Sequence, residues 1–248
     1  MMKAVMFDLG HTLINYHNDW RGPERKAVGN VAELVCQETG SSDQNAVEAY
    51  LFDLLEQGRK RKLAEQIEIP LPDVLSDCYT RFGCDIDDGL VMEGMEAFYA
   101  VLLEKRDLVP GAKEMLEDIQ ARGYGIGLIS DVAWGLTSDF PMRDLKHYGL
   151  DEFFDDFVFS TDVGIRKPNP RIFKLAMFNI GAKPEESIYV GNNLQADIKG
   201  ALGVGMTAVL KRSDFYEHDE AIVPSAKIST WDDFRLWLDE FEQSQSCE

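Results

Sequence analysis

The hydrophobic pattern divides the chain into a long helical stretch and a region in which strands alternate with helices. Residues 4–9 form an apolar run that ends at a turn with glycine, which is typical of a buried strand. From Glu24 to about Ala100, apolar residues recur at helical spacing, as in the stripe of Val28, Val31, Ala32, Leu34 and Val35. This stretch predicts a small bundle of four helices inserted after the first strand.

After Pro110 the pattern changes to alternating elements. Helices are predicted over residues 111–122, 170–180 and 197–202, and after Thr230, which is placed to cap the last helix with Asp233. Strands are predicted over residues 124–129, 156–160, 187–190, 206–210 and 226–228, and residues 211–225 are expected to form a surface loop. Such alternation predicts an α/β fold with a parallel sheet that is covered on both faces.

Composition narrows the range of partners and compartments. The 248 residues carry 44 acidic and 25 basic side chains, a net charge of −19, which disfavours nucleic acid and anionic membranes. There is no apolar run of about 18 residues and no signal-peptide pattern. The cysteines (Cys36, Cys78, Cys84 and Cys247) show no metal-binding spacing and are interpreted as reduced thiols. A cytoplasmic location is therefore expected, and the oligomeric state is left open.

Polar side chains follow several of the predicted strands, where parallel strands would bring them to one edge of the sheet. Asp8 is a candidate nucleophile, and Ser130-Asp131 could hold an oxyanion. Lys167 lies in Arg166-Lys167-Pro168-Asn169-Pro170, and Gly191-Asn192-Asn193 precedes Asp197. Each has a plain structural alternative, since Asp, Ser and Asn also cap turns and helices.

The order Asp8, Ser130, Lys167, Asp197 resembles the haloacid dehalogenase superfamily, whose members are mostly phosphatases. The likeness covers residues 4–16 and about 106–240, and includes Gly149-Leu150-Asp151-Glu152-Phe153-Phe154. It implies a Rossmann-like, doubly wound core (1–16 and 106–248) with a helical cap domain (17–105). It also implies Asp8, Ser130, Lys167 and Asp197 as catalytic residues, and Ser130, Asp131 and Lys167 as the substrate-binding set.

The resemblance further implies a Mg²⁺ site formed by Asp8, the Gly10 carbonyl and Asn192. Here the sequence departs from the family pattern twice. Gly10 occupies the position of a second Asp, the general acid, and Asn192 that of another Asp. Weak Mg²⁺ binding is therefore expected, together with a preference for aryl or acyl phosphates, whose leaving groups need no proton. His11 is a candidate replacement acid/base, although it more simply belongs to the turn.

Three functions remain open at this point. The leading hypothesis is a Mg²⁺-assisted phosphatase that acts on a small phosphorylated molecule through an aspartyl-phosphate. A 2-haloacid dehalogenase would also lack the second Asp, and a catalytically silent binding protein would tolerate both departures. The basic run Arg59-Lys60-Arg61-Lys62 and the pair Trp20-Arg21 are weaker candidates for holding an anionic substrate, because charge runs usually face water.

Overall fold

A computed structural model describes residues 2–213, 215 and 221–245. Its strands are β1 (Ala4–Phe7), β2 (Ile14–Asn15), β3 (Asp107–Leu108), β4 (Gly125–Ser130), β5 (Asp156–Phe159), β6 (Ser187–Gly191), β7 (Thr207–Lys211) and β8 (Ala226–Ile228). Its α-helices are α1 (Arg21–Thr39), α2 (Gln44–Glu65), α3 (Leu71–Phe82), α4 (Asp88–Leu103), α5 (Ala112–Ala121), α6 (Asp139–Tyr148), α7 (Ser160–Val163), α8 (Pro170–Ile180), α9 (Lys199–Gly203) and α10 (Trp231–Gln245).

Six strands form one parallel sheet in the order β5-β4-β1-β6-β7-β8. Side chains of β1 alternate between two cores: Val5 and Phe7 join the core that includes α5 and α10, whereas Ala4 and Met6 join the core of α8 and α9. The predicted α/β fold, covered on both faces, is confirmed. Among the described residues, no helix is both long and apolar enough to cross a membrane.

The central strands bring the predicted polar residues to one edge. Phe7 pairs with Leu128 of β4 and with Val190 of β6, so Asp8, Ser130 and Asn192 follow at the same carboxyl edge. Ligands bind at this edge in open α/β sheets. The register alone therefore places the candidate residues close together.

The predicted helical bundle is present as α1–α4, which we call the four-helix segment. It is joined to the sheet by β2 and β3, a two-stranded antiparallel ribbon in which Ile14 pairs with Leu108. The ribbon was not predicted, because two-residue strands are too short to show alternation. The division into domains at residues 16/17 and 105/106 remains a prediction.

Most predicted boundaries agree with the structure to within two residues, and two details differ. Helix α6 was not predicted, because Pro141 and the mixed charges around it hide its short apolar face. The helix expected from Asp197 begins earlier, in a π-helical turn over Leu194–Ile198. The capping box is present: Asp233 N–H donates to Thr230 Oγ1, and Thr230 N–H donates to Asp233 Oδ2. Residues 214 and 216–220 of the predicted 211–225 loop, and Cys247, lie outside the described residues; the three described cysteines are free.

A buried ionic cluster fastens the four-helix segment to the sheet beside Lys167. The backbone around Ile67 pairs antiparallel with that around Ile165. The Glu68 carboxylate, whose side chain is fully buried, contacts Lys62 at 2.6 Å and also Arg166, and it accepts a hydrogen bond from Ser160 Oγ. The cluster thus links α2 to the loop that carries Lys167.

Replacing Glu68 by Gln is expected to lower the free energy of unfolding by about 3 kcal/mol, because two partly buried cations lose a fully buried anion. Urea unfolding measures the change. The matched control is Glu65→Gln, since Glu65 pairs with Arg61 in water and its loss is expected to leave stability unchanged. Equal effects of the two substitutions would contradict a structural role for the cluster.

The same cluster gives an acid-dependent contribution to stability. Burial would raise the pKa of Glu68, but Arg166 and Lys62 outweigh it and hold the pKa below the ordinary value of 4.5. A carboxyl group of this kind stabilises the fold above its unfolded pKa, and the contribution is lost as the pH falls through the folded pKa. The difference in unfolding free energy between the wild type and Glu68→Gln should therefore narrow below pH 4.5; a difference that widens there would contradict the assignment.

Candidate active site

Lys167 lies at the centre of the site, between two carboxylates. Its Nζ is 2.6 Å from Asp8 Oδ1 and 2.7 Å from Asp197 Oδ1. It also donates to the Ile129 carbonyl and the Tyr189 hydroxyl, each at 3.0 Å. Because the side chains of Lys167 and Asp197 are 2% and 1% exposed, the ammonium group is fixed in one position.

Further hydrogen bonds orient the two carboxylates. Thr12 Oγ1 donates to Asp8 Oδ2 at 2.9 Å. Tyr189 Oη donates to Asp197 Oδ1 at 3.1 Å, and the Asn193 N–H donates to Asp197 Oδ2 at 2.9 Å. Both carboxylates are therefore held in fixed positions beside Lys167, and both line the cavity.

Burial and charge set the protonation of this group. Burial raises the pKa of Asp8 to about 6, and the neighbouring Lys167 opposes that shift. Burial would lower the pKa of Lys167, but the carboxylates of Asp197 and Asp8 raise it well above the ordinary value. Near neutral pH, Asp8 and Lys167 are therefore both charged.

Ser130 and Asp131 lie where β4 ends, beside Asp8. Ser130 is buried and lines the same cavity as Asp8 and Lys167. Asp131 Oδ1 accepts a hydrogen bond from the Lys167 N–H at 3.1 Å, and Asp131 Oδ2 is 3.7 Å from Arg166. Asp131 thus fixes the backbone of Lys167, and burial raises its pKa despite the two cations.

The position after Leu9 offers no proton donor. Gly10 pairs with Ile14 by a backbone bridge, and a Cβ atom built on it would meet only Tyr16 Cδ2, at 4.0 Å. Its backbone conformation is one that other residues also adopt, since its φ is outside the left-handed region. A side chain would therefore fit at residue 10.

His11, the candidate substitute acid, is 6% exposed and lines the cavity. Its ring stacks on Phe215 at 4.3 Å between centroids. Burial lowers the pKa of His11 to about 4, so the imidazole is neutral at pH 7 and has no proton of suitable acidity to donate. Its Nε2 is buried and has no hydrogen-bond partner among the described residues.

Oxygen donors suitable for Mg²⁺ also lie at this edge. Asn192 uses its amide nitrogen to donate to Ser213 Oγ at 3.1 Å, which leaves its carbonyl oxygen as the donor for a cation. Together with the Asp8 carboxylate and the Gly10 carbonyl, this set fits the oxygen preference of Mg²⁺, although it carries one formal charge. The described residues contain no cluster of three or more His, Cys, Asp or Glu side chains that could hold a metal ion.

The basic residues that are weaker candidates for binding an anionic substrate differ in location: some line the cavity and others face solvent. Arg59 and Lys62 line the cavity, but each is ion-paired, with Glu24 at 2.7 Å and with Glu68 at 2.6 Å. Lys60 and Arg61 are 73% and 60% exposed and pair with neighbouring glutamates on α2. Arg21 also lines the cavity, is exposed to solvent, and has no ion pair among the described residues.

Several residues that shape the candidate active site and its surroundings could not be identified from the sequence. Tyr189 is a buried aromatic within β6, and nothing in its local pattern separates it from core residues. Glu68 is distant in sequence from Arg166. A further buried carboxylate, Asp144 on α6, accepts hydrogen bonds from Tyr16 at 2.7 Å and from Tyr99 at 2.6 Å, and pairs with Arg106. These contacts depend on tertiary structure alone.

The parallel sheet, with Asp8, Lys167 and Asp197 in contact at its carboxyl edge, is the arrangement of a hydrolase with a Rossmann-like core. The chain belongs to the haloacid dehalogenase-like hydrolase family, whose sequence pattern matches residues 2–205.

Relatives with stated activities include two glyceraldehyde 3-phosphate phosphatases. The protein from Methanothermobacter thermautotrophicus is 38% identical over 52% of this chain and 55% of its own length. The protein from Pyrococcus furiosus is 35% identical over 84% of this chain and 80% of its own length. Among solved structures, a 2-haloacid dehalogenase from Pseudomonas syringae shares the fold, with a TM-score of 0.69, 22% identity and coverage of 97% of this chain and all of that one (100%).

Proposed function

We propose that this protein is a phosphatase of small phosphorylated molecules, in which Asp8 is the nucleophile. The observation that carries the proposal is the contact of Lys167 with both Asp8 and Asp197 at the floor of a cavity of about 640 Å³. An anion at this floor meets a fixed ammonium group, and the carboxylate of Asp8 lies beside it. The phosphatase names of two relatives support the same class of substrate.

The reaction would proceed in two displacements at phosphorus. An Asp8 carboxylate oxygen forms a bond to phosphorus, and the bond to the leaving oxygen breaks with its electron pair. Water then attacks phosphorus, the Asp8–phosphorus bond breaks, and the carboxylate is regenerated. Lys167 and the Ser130 hydroxyl stabilise the charge on the phosphoryl oxygens, while Asp131 and Asp197 hold Lys167 in place.

Asp8, the Gly10 carbonyl and Asn192 would hold Mg²⁺. When bound, the ion supplies further positive charge against the phosphoryl oxygens. Its effect adds to that of Lys167, which is present without metal.

Because residue 10 supplies no general acid, the rate of hydrolysis should depend on the leaving group. An alkoxide leaves poorly unless it is protonated, whereas an aryl oxide or a carboxylate leaves without a proton. We therefore expect para-nitrophenyl phosphate and acetyl phosphate to be hydrolysed faster than glycerol phosphate or a sugar phosphate. Phosphate release from this panel, with Mg²⁺ and with EDTA, is the test, and equal rates on all four would contradict the proposal.

A 2-haloacid dehalogenase is the second candidate, and the specific observations in its favour are Gly10 and Asn192. Asp8 would then attack carbon and release halide, with no need of an acid. Halide release from a 2-haloacid in EDTA, without phosphatase activity, would establish it. Binding of phosphate without turnover of any substrate would instead support a silent binding protein.

The charge lost at residue 192 can be restored. We expect Asn192→Asp to lower the Mg²⁺ concentration for half-maximal activity by about tenfold, since a second carboxylate joins the donor set. Asn193→Asp is the matched control: it adds the same charge one residue away, but Asn193 Oδ1 already accepts from the Gln195 and Ala196 N–H groups. An equal shift in both variants would indicate a general effect of charge and contradict the ligand role of Asn192.

A further inference from the structure

The cavity above Asp8 has an aromatic wall, formed by Tyr16, Trp20, Trp134 and Phe215. The ring of Trp20 contacts that of Trp134 edge-on, with centroids 5.3 Å apart, and faces Phe215 in the same way at 6.2 Å. The cavity volume of about 640 Å³ lies within the range of small-molecule sites. It can hold a phosphoryl group at the floor and a ring beside the wall.

Trp134 is held in this wall at a conformational cost. Its φ of 52° lies in the left-handed region, which bulky residues seldom adopt. Its indole N–H donates to Glu24 Oε2 at 2.8 Å, and its ring packs edge-on against Phe98 at 5.2 Å. A strained residue that its surroundings hold in place is typical of a ligand site.

Three of the polar side chains around the wall, Glu24, Tyr16 and Lys62, already have partners, whereas Arg21 has no ion pair among the described residues. The Glu24 carboxylate accepts two hydrogen bonds from Arg59, in addition to the one from Trp134. The Tyr16 hydroxyl is bound to Asp144, and Lys62 to Glu68. A site that selects a hydroxyl-rich molecule keeps buried polar groups ready for its hydroxyls, and among the described residues this wall offers few.

One buried polar atom near the wall is unsatisfied, His11 Nε2. The His11 ring lies flat against Phe215, with 7° between the two planes. Because this nitrogen is shielded from solvent, the His11 ring contributes to the packing of the wall and not to its hydrogen bonding.

We propose that the aromatic wall binds the leaving group of the substrate, and that this group is a planar aromatic ring. The inference rests on the proposed phosphatase function and names its substrate class, an aryl phosphate. The floor of the site favours the same class, because Gly10 supplies no proton and an aryl oxide leaves without one. Trp20 is the residue that would determine the specificity.

Equilibrium binding tests the wall without catalysis. Phenylphosphonate and methylphosphonate share the anionic group and differ in the ring, so calorimetric titration of both in Mg²⁺ measures the contribution of the ring. We expect the wild type to bind phenylphosphonate about tenfold more tightly, as buried and stacked rings do elsewhere. Trp20→Ala should reduce this preference below about threefold, and Trp20→Phe should retain it.

The control variant is Trp237→Ala, since Trp237 stacks on Phe241 in α10 and does not line the cavity. It should keep the full preference. Equal affinities of the two phosphonates in the wild type, or a preference that survives Trp20→Ala, would overturn the aromatic wall as the leaving-group site. If neither phosphonate binds to the wild type, the anion site itself fails, and the proposed function fails with it.

Discussion

Gly10→Asp is expected to raise the turnover of glycerol phosphate by about 10²- to 10⁴-fold, the usual contribution of a general acid. The new carboxyl group would follow β1 beside Asp8, where it can protonate the departing alkoxide and then activate water. The backbone permits the change, since a Cβ at residue 10 makes one ordinary contact, with Tyr16. Steady-state phosphate release at neutral pH measures the gain.

Two comparisons separate acid catalysis from other effects of the substitution. Gly10→Asn has the same shape but supplies no acid, so it should not accelerate the reaction. Acetyl phosphate needs no protonation of its leaving group, so Gly10→Asp should change its turnover far less than that of glycerol phosphate. An equal gain with Asn, or the absence of any gain in a folded Gly10→Asp protein, would contradict the role assigned to this position.

Asp8→Asn should abolish turnover of every substrate, with a loss of about 10³-fold or more, because an amide oxygen does not form a stable bond to phosphorus. The fold should survive the change. The Asn oxygen can still accept from Lys167, and Thr12 can rotate its hydroxyl to accept from the amide nitrogen. Turnover of para-nitrophenyl phosphate and the thermal midpoint, measured on the same samples, report the two effects.

The isosteric control is Asp232→Asn, since the Asp232 side chain is 84% exposed on α10. This variant should retain full activity and stability. Activity of Asp8→Asn above a tenth of the wild type would show that another group is the nucleophile.

The fold was predictable to a large extent, because its signals are local. The alternation of β1 and its neighbours with helices gives a parallel sheet, and the Thr230–Asp233 capping box marks the start of α10. Helix α6 lacks such a signal, and Pro141 in its first turn obscures it. The ribbon of β2 and β3 depends on pairing between residues that are about ninety positions apart, such as Ile14 and Leu108. A local sequence pattern carries no information about such a pairing.

The candidate site was predictable only in part. Asp8 and Ser130 could be identified because they lie where strands end, and the sheet then brings strand ends together. Lys167 and Asp197 could be identified because their order along the chain, after Asp8 and Ser130, resembles the pattern of the family. The environment of these residues could not be predicted: Tyr189 resembles any core aromatic, and the pairing of Glu68 with Arg166 arises from the docking of the four-helix segment. The depressed pKa of His11 is likewise a consequence of tertiary burial.

The departures at residues 10 and 192 gain a common physical meaning in this account. Gly10 removes the acid that difficult leaving groups require, and Asn192 removes a charge from the cation site. Lys167, held by Asp197 and Tyr189, retains the main stabilisation of a bound anion. On the proposed mechanism, the protein would keep the means to form a bond to phosphorus and would act on a restricted set of esters.

The nucleophilic role of Asp8 is tested by identifying the covalent bond that Asp8 forms during turnover. The protein is mixed with para-nitrophenyl phosphate and Mg²⁺, quenched in acid within the first turnovers, digested and analysed by peptide mass spectrometry. If Asp8 is the nucleophile, the peptide containing Asp8 gains the mass of one phosphoryl group, and the Asp8→Asn peptide does not. Steady release of phosphate with a phosphoryl group on a different residue, or on none, would contradict that role.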